Sequence, residues 1–132
     1  MKVISFNANG IRSAAKKGFY DWLQLQKADF VCIQETKAQV DQLLSESIYF
    51  PDEFHCEYYD AQKKGYSGVA ILSKIKADLV AIGMNHPEYD FEGRNIRVDF
   101  GDITILSTYF PSGTTGDVRQ DFKMKFLADF QK

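Results

Sequence analysis

A chain of 132 residues with 45% apolar and 26% charged side chains has the balance of one globular domain. Its formal net charge of -2 argues against a polybasic, sequence-independent nucleic-acid binder and leaves room only for a local basic rim, for which Lys16-Lys17, Lys63-Lys64, Lys74 with Lys76, and Arg94 with Arg97 are candidates. No stretch approaches the ~18 apolar residues of a membrane span. Met1-Lys2-Val3-Ile4-Ser5-Phe6 enters directly into alternation, without the apolar run and cleavage site of a signal peptide. Cys32 and Cys56 read as free thiols of a reducing, cytoplasmic compartment.

Residues 2–7 alternate as a strand and run into Asn7-Ala8-Asn9-Gly10, a turn by composition. Residues 13–27 read as a helix whose stripe is Phe19, Trp22 and Leu23, with Trp22 assigned to the core. Val31, Cys32 and Ile33 form a short continuous apolar run, the pattern of a strand covered on both faces. Residues 38–49 suggest a second helix, with Val40, Leu43, Leu44 and Ile48 on one side and Pro51 beyond its end. Strands then follow over 55–60, 68–73 and 78–83, with a turn at Lys63-Lys64-Gly65-Tyr66 and a polar loop over 85–93. Residues 95–100 and 103–110 form a hairpin about Gly101-Asp102. Asp117 is placed as the cap of a last helix, with Gln120 completing a capping box and Val118, Phe122, Phe126 and Phe130 spaced as its apolar stripe. The class is α/β with a mixed sheet.

Polar groups recur where strands end. Glu35 and Lys37 follow the Val31–Ile33 run, Asn7 and Asn9 end the first strand with Arg12 close behind, and Tyr109 lies at the end of the last strand. Ligands of open α/β sheets bind outside the carboxyl ends of strands. A carboxylate there can hold a metal ion, and a carboxamide can orient a ligand or donate to a phosphate. Each residue taken singly has an ordinary reading: a solvated Glu at a strand exit, a turn Asn, an amphipathic Tyr at the core edge.

Four segments in order change that balance. They are Ile4-Ser5-Phe6-Asn7-Ala8-Asn9-Gly10-Ile11-Arg12, Gln34-Glu35-Thr36-Lys37, Gly65-Tyr66-Ser67-Gly68-Val69-Ala70, and Glu92-Gly93-Arg94 leading to Tyr109-Phe110-Pro111-Ser112-Gly113. With these segments the chain resembles the exodeoxyribonuclease III family of apurinic/apyrimidinic endonucleases, within the endonuclease/exonuclease/phosphatase superfamily. The resemblance implies that residues 1–132 are the N-terminal half of a four-layer α/β sandwich, with one mixed β-sheet and flanking helices. It implies a metal-dependent DNA-repair nuclease that hydrolyses phosphodiester bonds at abasic sites of duplex DNA, with 3′ ends as a further substrate. Glu35 would bind Mg²⁺, with Mn²⁺ as the alternative, and Asn7 would sit beside that metal. Tyr109 would contact the scissile phosphate. Asn9, Arg12, Lys37, Tyr66 and Arg94 would be substrate-binding.

The family's Gly-Asp-x-Asn and Ser-Asp-His segments have no match in these residues; His55 follows Phe54 and His86 follows Asn85. The water-activating Asp and the phosphate-binding His are therefore expected outside the 132 residues. The chain alone is expected to be inactive, since losing a general base costs about 10²–10⁴-fold, and to self-associate through an uncovered sheet face. Two other readings stay open: a non-catalytic nucleic-acid-binding regulator of the same family, and a superfamily phosphatase.

Overall fold

The computed structural model describes residues 1–132. The chain divides its strands between two sheets. One has β1 (Val3–Asn7), β2 (Phe30–Gln34), β4 (Val69–Ser73) and β3 (His55–Tyr59) in the order β1-β2-β4-β3. The other has β5 (Leu79–Ile82), β6 (Asn95–Phe100) and β7 (Ile103–Thr108) in chain order. The α/β class is as expected, and the first sheet is mixed: β1 and β2 are parallel while β4 runs antiparallel to both of its neighbours. The single sheet read from the sequence is corrected to two. Local pattern marks strands, but which strands share a ladder is settled only by long-range pairing.

β2 and β4 are the axis of the domain. Val31, Ile33, Ala70 and Leu72 face one way, onto Ile11, Phe19, Tyr20, Leu23 and Leu43. Cys32, Val69 and Ile71 face the other way, onto Ile96 and Val98 of the second sheet. The inner face of the first sheet is thus covered over β2 and β4, where β6 and β7 lie across it. It is open toward both edge strands, β1, where Val3 remains 47% exposed, and β3, where His55 is exposed. Both cysteines are free; burial pushes the Cys32 thiol up to about 11 and the Cys56 thiol up to about 12, the behaviour of inert core thiols.

The helix expected over 13–27 is two helices, α1 (Ile11–Lys16) and α2 (Phe19–Gln26), separated by Gly18 at φ 94°. Turning the axis there leaves Trp22 45% exposed, not in the core. The helix expected over 38–49 shrinks to α3 (Val40–Leu44) and a 3₁₀ turn (Ser47–Tyr49). Of its stripe only Leu43 is buried, and Leu44 and Ile48 are exposed. The loop over 85–93 contains one short helix, α4 (Pro87–Asp90).

α5 (Asp117–Phe130) takes Gly116 as its N-cap with no side-chain cap bond, so the expected Asp117–Gln120 capping box is absent. Asp117 stands one residue inside, where a carboxylate suits the positive end of the helix. Val118 is exposed, and the helix docks through Phe122, Phe126 and Phe130. The Tyr89 hydroxyl donates to Asp129 Oδ2 at 2.6 Å, and this bond is the main reason the Asp129 carboxyl titrates below its ordinary value. A carboxyl depressed in the folded state contributes stability that is present above its unfolded value and lost as pH falls through the folded one. Asp129→Asn is therefore expected to flatten the acid limb of the stability curve below the ordinary value of 3.8, read from urea midpoints across that range. An unchanged acid limb would show that the bond contributes nothing to the docking of α5.

Candidate functional site

Parallel pairing of β1 with β2 sets Asn7 opposite Gln34, so the two strands end together. The loops that leave them are zipped by backbone bonds: Ala8 N to Gln34 O at 2.9 Å, Gly10 N to Glu35 O at 2.8 Å and Ile11 N to Thr36 O at 2.9 Å. The entrance to β4 closes the other side, with Thr36 N bonded to Gly68 O at 3.1 Å and Lys37 N to Ser67 O at 2.8 Å. Glu35, Lys37, Asn9 and Ser67 all adopt positive φ within this knot, an unusual density for residues other than glycine. Backbone held so far from its ordinary range clusters at functional sites.

The side chains form a closed ring. Asn7 Nδ2 donates to Glu35 Oε1 at 2.9 Å, Lys37 Nζ lies 3.3 Å from Glu35 Oε2 and donates to Asn9 Oδ1 at 2.5 Å, and Asn9 N donates back to Asn7 Oδ1 at 3.0 Å. Burial pushes the Glu35 carboxyl up, but the bonds from Asn7 and Lys37, the charge of Lys37 and the Tyr109 hydroxyl outweigh it and hold the group below its ordinary value. Tyr109 follows β7 directly, and its phenol is pushed up by burial and by the facing Glu35. Asn7, Asn9, Glu35, Lys37 and Tyr109, drawn from three separate segments, thus meet in one place.

Arg12 is exposed and lines, with Gly10, Lys16 and Lys37, a shallow cleft of about 770 Å³ running from this ring. Arg12, Lys16 and Lys37 outnumber the one acidic residue of its lining, Glu46, and of the residues expected to form a basic rim Lys16 alone lies on it. Tyr66 and Arg94 stand apart from that cleft. Arg94 is 2% exposed, and its Nη1 and Nη2 donate to Tyr109 O, the Tyr66 hydroxyl and Glu92, so the residue expected to contact a backbone phosphate lies buried among internal partners. Tyr66 is half-buried and receives bonds from both Arg94 Nη2 at 2.7 Å and Arg119 Nη2 at 3.0 Å.

Sequence reasoning missed Arg119 and Ser107. Arg119 reaches Glu92 from α5 at 3.2 Å, and nothing local in the sequence marks that pairing. Ser107 donates to Ile33 O at 3.0 Å and accepts from Gln34 Nε2 at 3.1 Å, clipping the second sheet to the strand that presents Glu35. Its alternation as a buried polar residue within β7 is the only signal it carried. A separate group, His86, Glu88 and Asp129, brings its donor atoms within 4.8 Å of one another. There Lys125 Nζ sits 2.7 Å from both Glu88 oxygens and Tyr89 holds Asp129, so the carboxylates already have partners.

The site is thus a strand-end carboxylate kept ionised beside a carboxamide, an ammonium and a phenol. Residues 4–131 match the endonuclease/exonuclease/phosphatase family. The chain belongs to that family. It is 37% identical to an exodeoxyribonuclease of Bacillus subtilis over 96% of its own length and 49% of the relative's. It is 35% identical to the DNA repair nuclease APEX1 of Danio rerio over 99% of its length and 43% of that protein. The fold overlays an AP endonuclease from Archaeoglobus fulgidus with a TM-score of 0.85 at 29% identity, covering 98% of this chain and 49% of the other. The chain spans about half the length of the family members it matches.

Proposed function

We propose that this protein is a metal-dependent phosphodiester hydrolase of DNA repair, acting on duplex DNA at abasic sites and at 3′ ends. The observation that carries the reading is Glu35, an ionised carboxylate fixed by Asn7 and Lys37 and faced by Tyr109 at the end of a basic cleft. Relatives 37% and 33% identical to it are named as exodeoxyribonuclease and DNA-(apurinic or apyrimidinic site) endonuclease.

The donor set suits a hard divalent cation. Glu35 supplies two carboxylate oxygens, which Asn7, Lys37 and Tyr109 engage while leaving lone pairs to spare, and Mg²⁺ binds through one or two carboxylates and otherwise water and phosphate. Glu35 would hold the ion, with the Asn7 carboxamide fixing the carboxylate's orientation. Bound there, Mg²⁺ or Mn²⁺ would neutralise charge building on the phosphate and the leaving oxygen. Depression of the Glu35 carboxyl keeps that ligand anionic at neutral pH. Lys37 balances its charge and, with Asn9 and Arg12, offers donors to the phosphates on either side. The Tyr109 hydroxyl is placed to donate to a non-bridging oxygen once a phosphate displaces it from Glu35. The water-activating base would come from a second half of the domain, in keeping with the half-length match to relatives.

The test is a labelled duplex carrying one abasic-site analogue, incubated with the 132-residue chain in Mg²⁺ or in chelator, beside Glu35→Ala and Arg12→Ala. The chain is expected to bind the duplex without cutting it. Arg12→Ala should weaken binding evenly across sequences and lower the slope of log affinity against log salt by about one. Affinity indifferent to Arg12 and to salt would remove the nucleic-acid reading. Cleavage by the chain that Glu35→Ala abolishes would overturn the need for a second half. The open side of β1 and exposed Val3 support association of the isolated chain, which a monodisperse monomer on sizing at high concentration would exclude.

A further inference from the structure

We propose that Arg94 is a positioning residue for Tyr109: buried in the protein, it fixes that ring at Glu35 and ties it through Tyr66 and Glu92 to α5. Arg94 and Tyr109 continue the β6–β7 ladder by one pair, with Tyr109 N donating to Arg94 O at 2.8 Å. Arg94 Nη1 then donates to the Tyr109 carbonyl at 3.0 Å, so one residue grips the other from both backbone and side chain. The guanidinium carbon lies 5.1 Å from the centre of the Tyr109 ring and 5.7 Å from that of Tyr66, between the two aromatic faces.

The second arm of the guanidinium anchors the first. Nη2 donates to the Tyr66 hydroxyl at 2.7 Å and to Glu92 Oε2 at 3.3 Å. Arg119 of α5 reaches that same hydroxyl at 3.0 Å and both Glu92 oxygens at 3.2 Å. Glu92 therefore pairs with two arginines at once, offsetting only one of their two charges, and Tyr66 accepts from both. Arg94 Nε is buried with no partner at all. Leaving a buried donor unpaired is unfavourable, and a packing role alone would be met better by an apolar side chain of similar volume. The planar fork is retained because a single group must reach Tyr109 and Tyr66 at once, which a lysine ammonium cannot do.

The positional claim stands on this geometry; its weight in catalysis rests on the reading of Tyr109 given above. The experiment separates the two. The 132-residue chain is prepared with ¹³C in its tyrosine rings, and the Tyr109 signal is assigned by its loss in Tyr109→Phe. In Arg94→Lys, which keeps the charge, the Tyr109 ring is expected to move to the shift and relaxation of a mobile, solvent-facing tyrosine. The Tyr58 ring, held by its hydroxyl bond to Tyr49 O at 2.6 Å, should stay unchanged and report an intact fold. A Tyr109 ring of wild-type shift and order beside an unchanged Tyr58 would overturn the proposal. Should Arg94→Lys fail to fold, Tyr66→Phe removes only the linking hydroxyl, and a Tyr109 ring unmoved by it would overturn the proposal equally. In a duplex-cleaving form of the protein, Arg94→Lys should lower kcat by up to about 100-fold at unchanged KM, the scale of a ~1 Å misplacement, and add nothing to Tyr109→Phe. A loosened ring with undiminished cleavage would leave the positioning role standing and remove the catalytic reading of Tyr109.

Discussion

Phe126→Ala is expected to destabilise the protein by about 3–5 kcal/mol, the range for deleting a buried aromatic ring. Phe126 is fully buried although most of α5 is not, and it is the centre of a small aromatic cluster. Its ring meets Tyr89 edge-on at 5.1 Å and Phe110 edge-on at 5.7 Å, and stacks with Phe130 at 6.1 Å. Edge-to-face pairs of this kind add about 0.5–1.5 kcal/mol each beyond the area they bury. The cluster is separate from the two cores between the layers, so the cost falls on the packing of α5 and not on either of them. Against a total stability of about 5–15 kcal/mol, a loss of this size populates the unfolded state or releases α5 alone. Urea unfolding with hydrogen exchange on α5 distinguishes these outcomes. A midpoint within error of the wild type would mean that α5 is not held by this ring. Release of α5 would also withdraw Arg119 from Glu92 and Tyr66, so the first consequence for the site should be a loosened Tyr66.

Gly93→Ala is expected to cost about 2–5 kcal/mol and to disturb the site as well. Gly93 sits at φ 60°, where a residue bearing a Cβ is disfavoured by about 1–2 kcal/mol. A Cβ there would also lie 2.5 Å from the backbone carbon of Asp60 and 2.6 Å from Ala61 N. Overpacking of this kind costs typically about 1–3 kcal/mol. The opposing backbone cannot step aside cheaply. Asp60 Oδ2 accepts from Val40 N at 2.7 Å, the Ala61 carbonyl accepts from Gln39 Nε2 at 3.0 Å, and Gln62 N bonds to Phe91 O at 2.8 Å. Yielding would therefore uncap α3 or move Gly93 itself. Gly93 O holds Gly68 N at 3.1 Å, and Gly68 O holds Thr36 N beside Glu35. The strain should reach the Glu35 loop through that chain of bonds. The check is a urea midpoint together with the amide shifts of Glu35 and Lys37; a midpoint unchanged from wild type would show that the backbone at Asp60 yields freely.

The motif Glu92-Gly93-Arg94 shows how a readable sequence can still mislead about a role. Each residue of the segment has a structural reason to be there. Gly93 fits against another backbone, and Glu92 and Arg94 form a buried pair. An arginine in a nuclease-like motif invites a phosphate contact, yet burial makes this one an internal strut. Trp22 errs the other way. Its helical spacing with Phe19 and Leu23 places it in the core, and the break at Gly18 turns it outward.

What the sequence determined by itself is local and periodic. The buried runs of β2 and β4, the Gly101-Asp102 hairpin and the polar groups at strand exits follow from side-chain period and turn chemistry, and all stand in the structure where the pattern puts them. The meeting of Asn7, Glu35 and Tyr109 was legible only as three strand ends that could converge. Tertiary structure decided the rest. It placed β5, β6 and β7 in a second sheet, closed the Asn7–Glu35–Lys37–Asn9 ring, buried Arg94 and brought Arg119 from α5 to Glu92. The reason is physical: strand pairing, desolvation and ion pairing between residues far apart in the chain depend on which surfaces are finally buried together, and no local pattern encodes that choice.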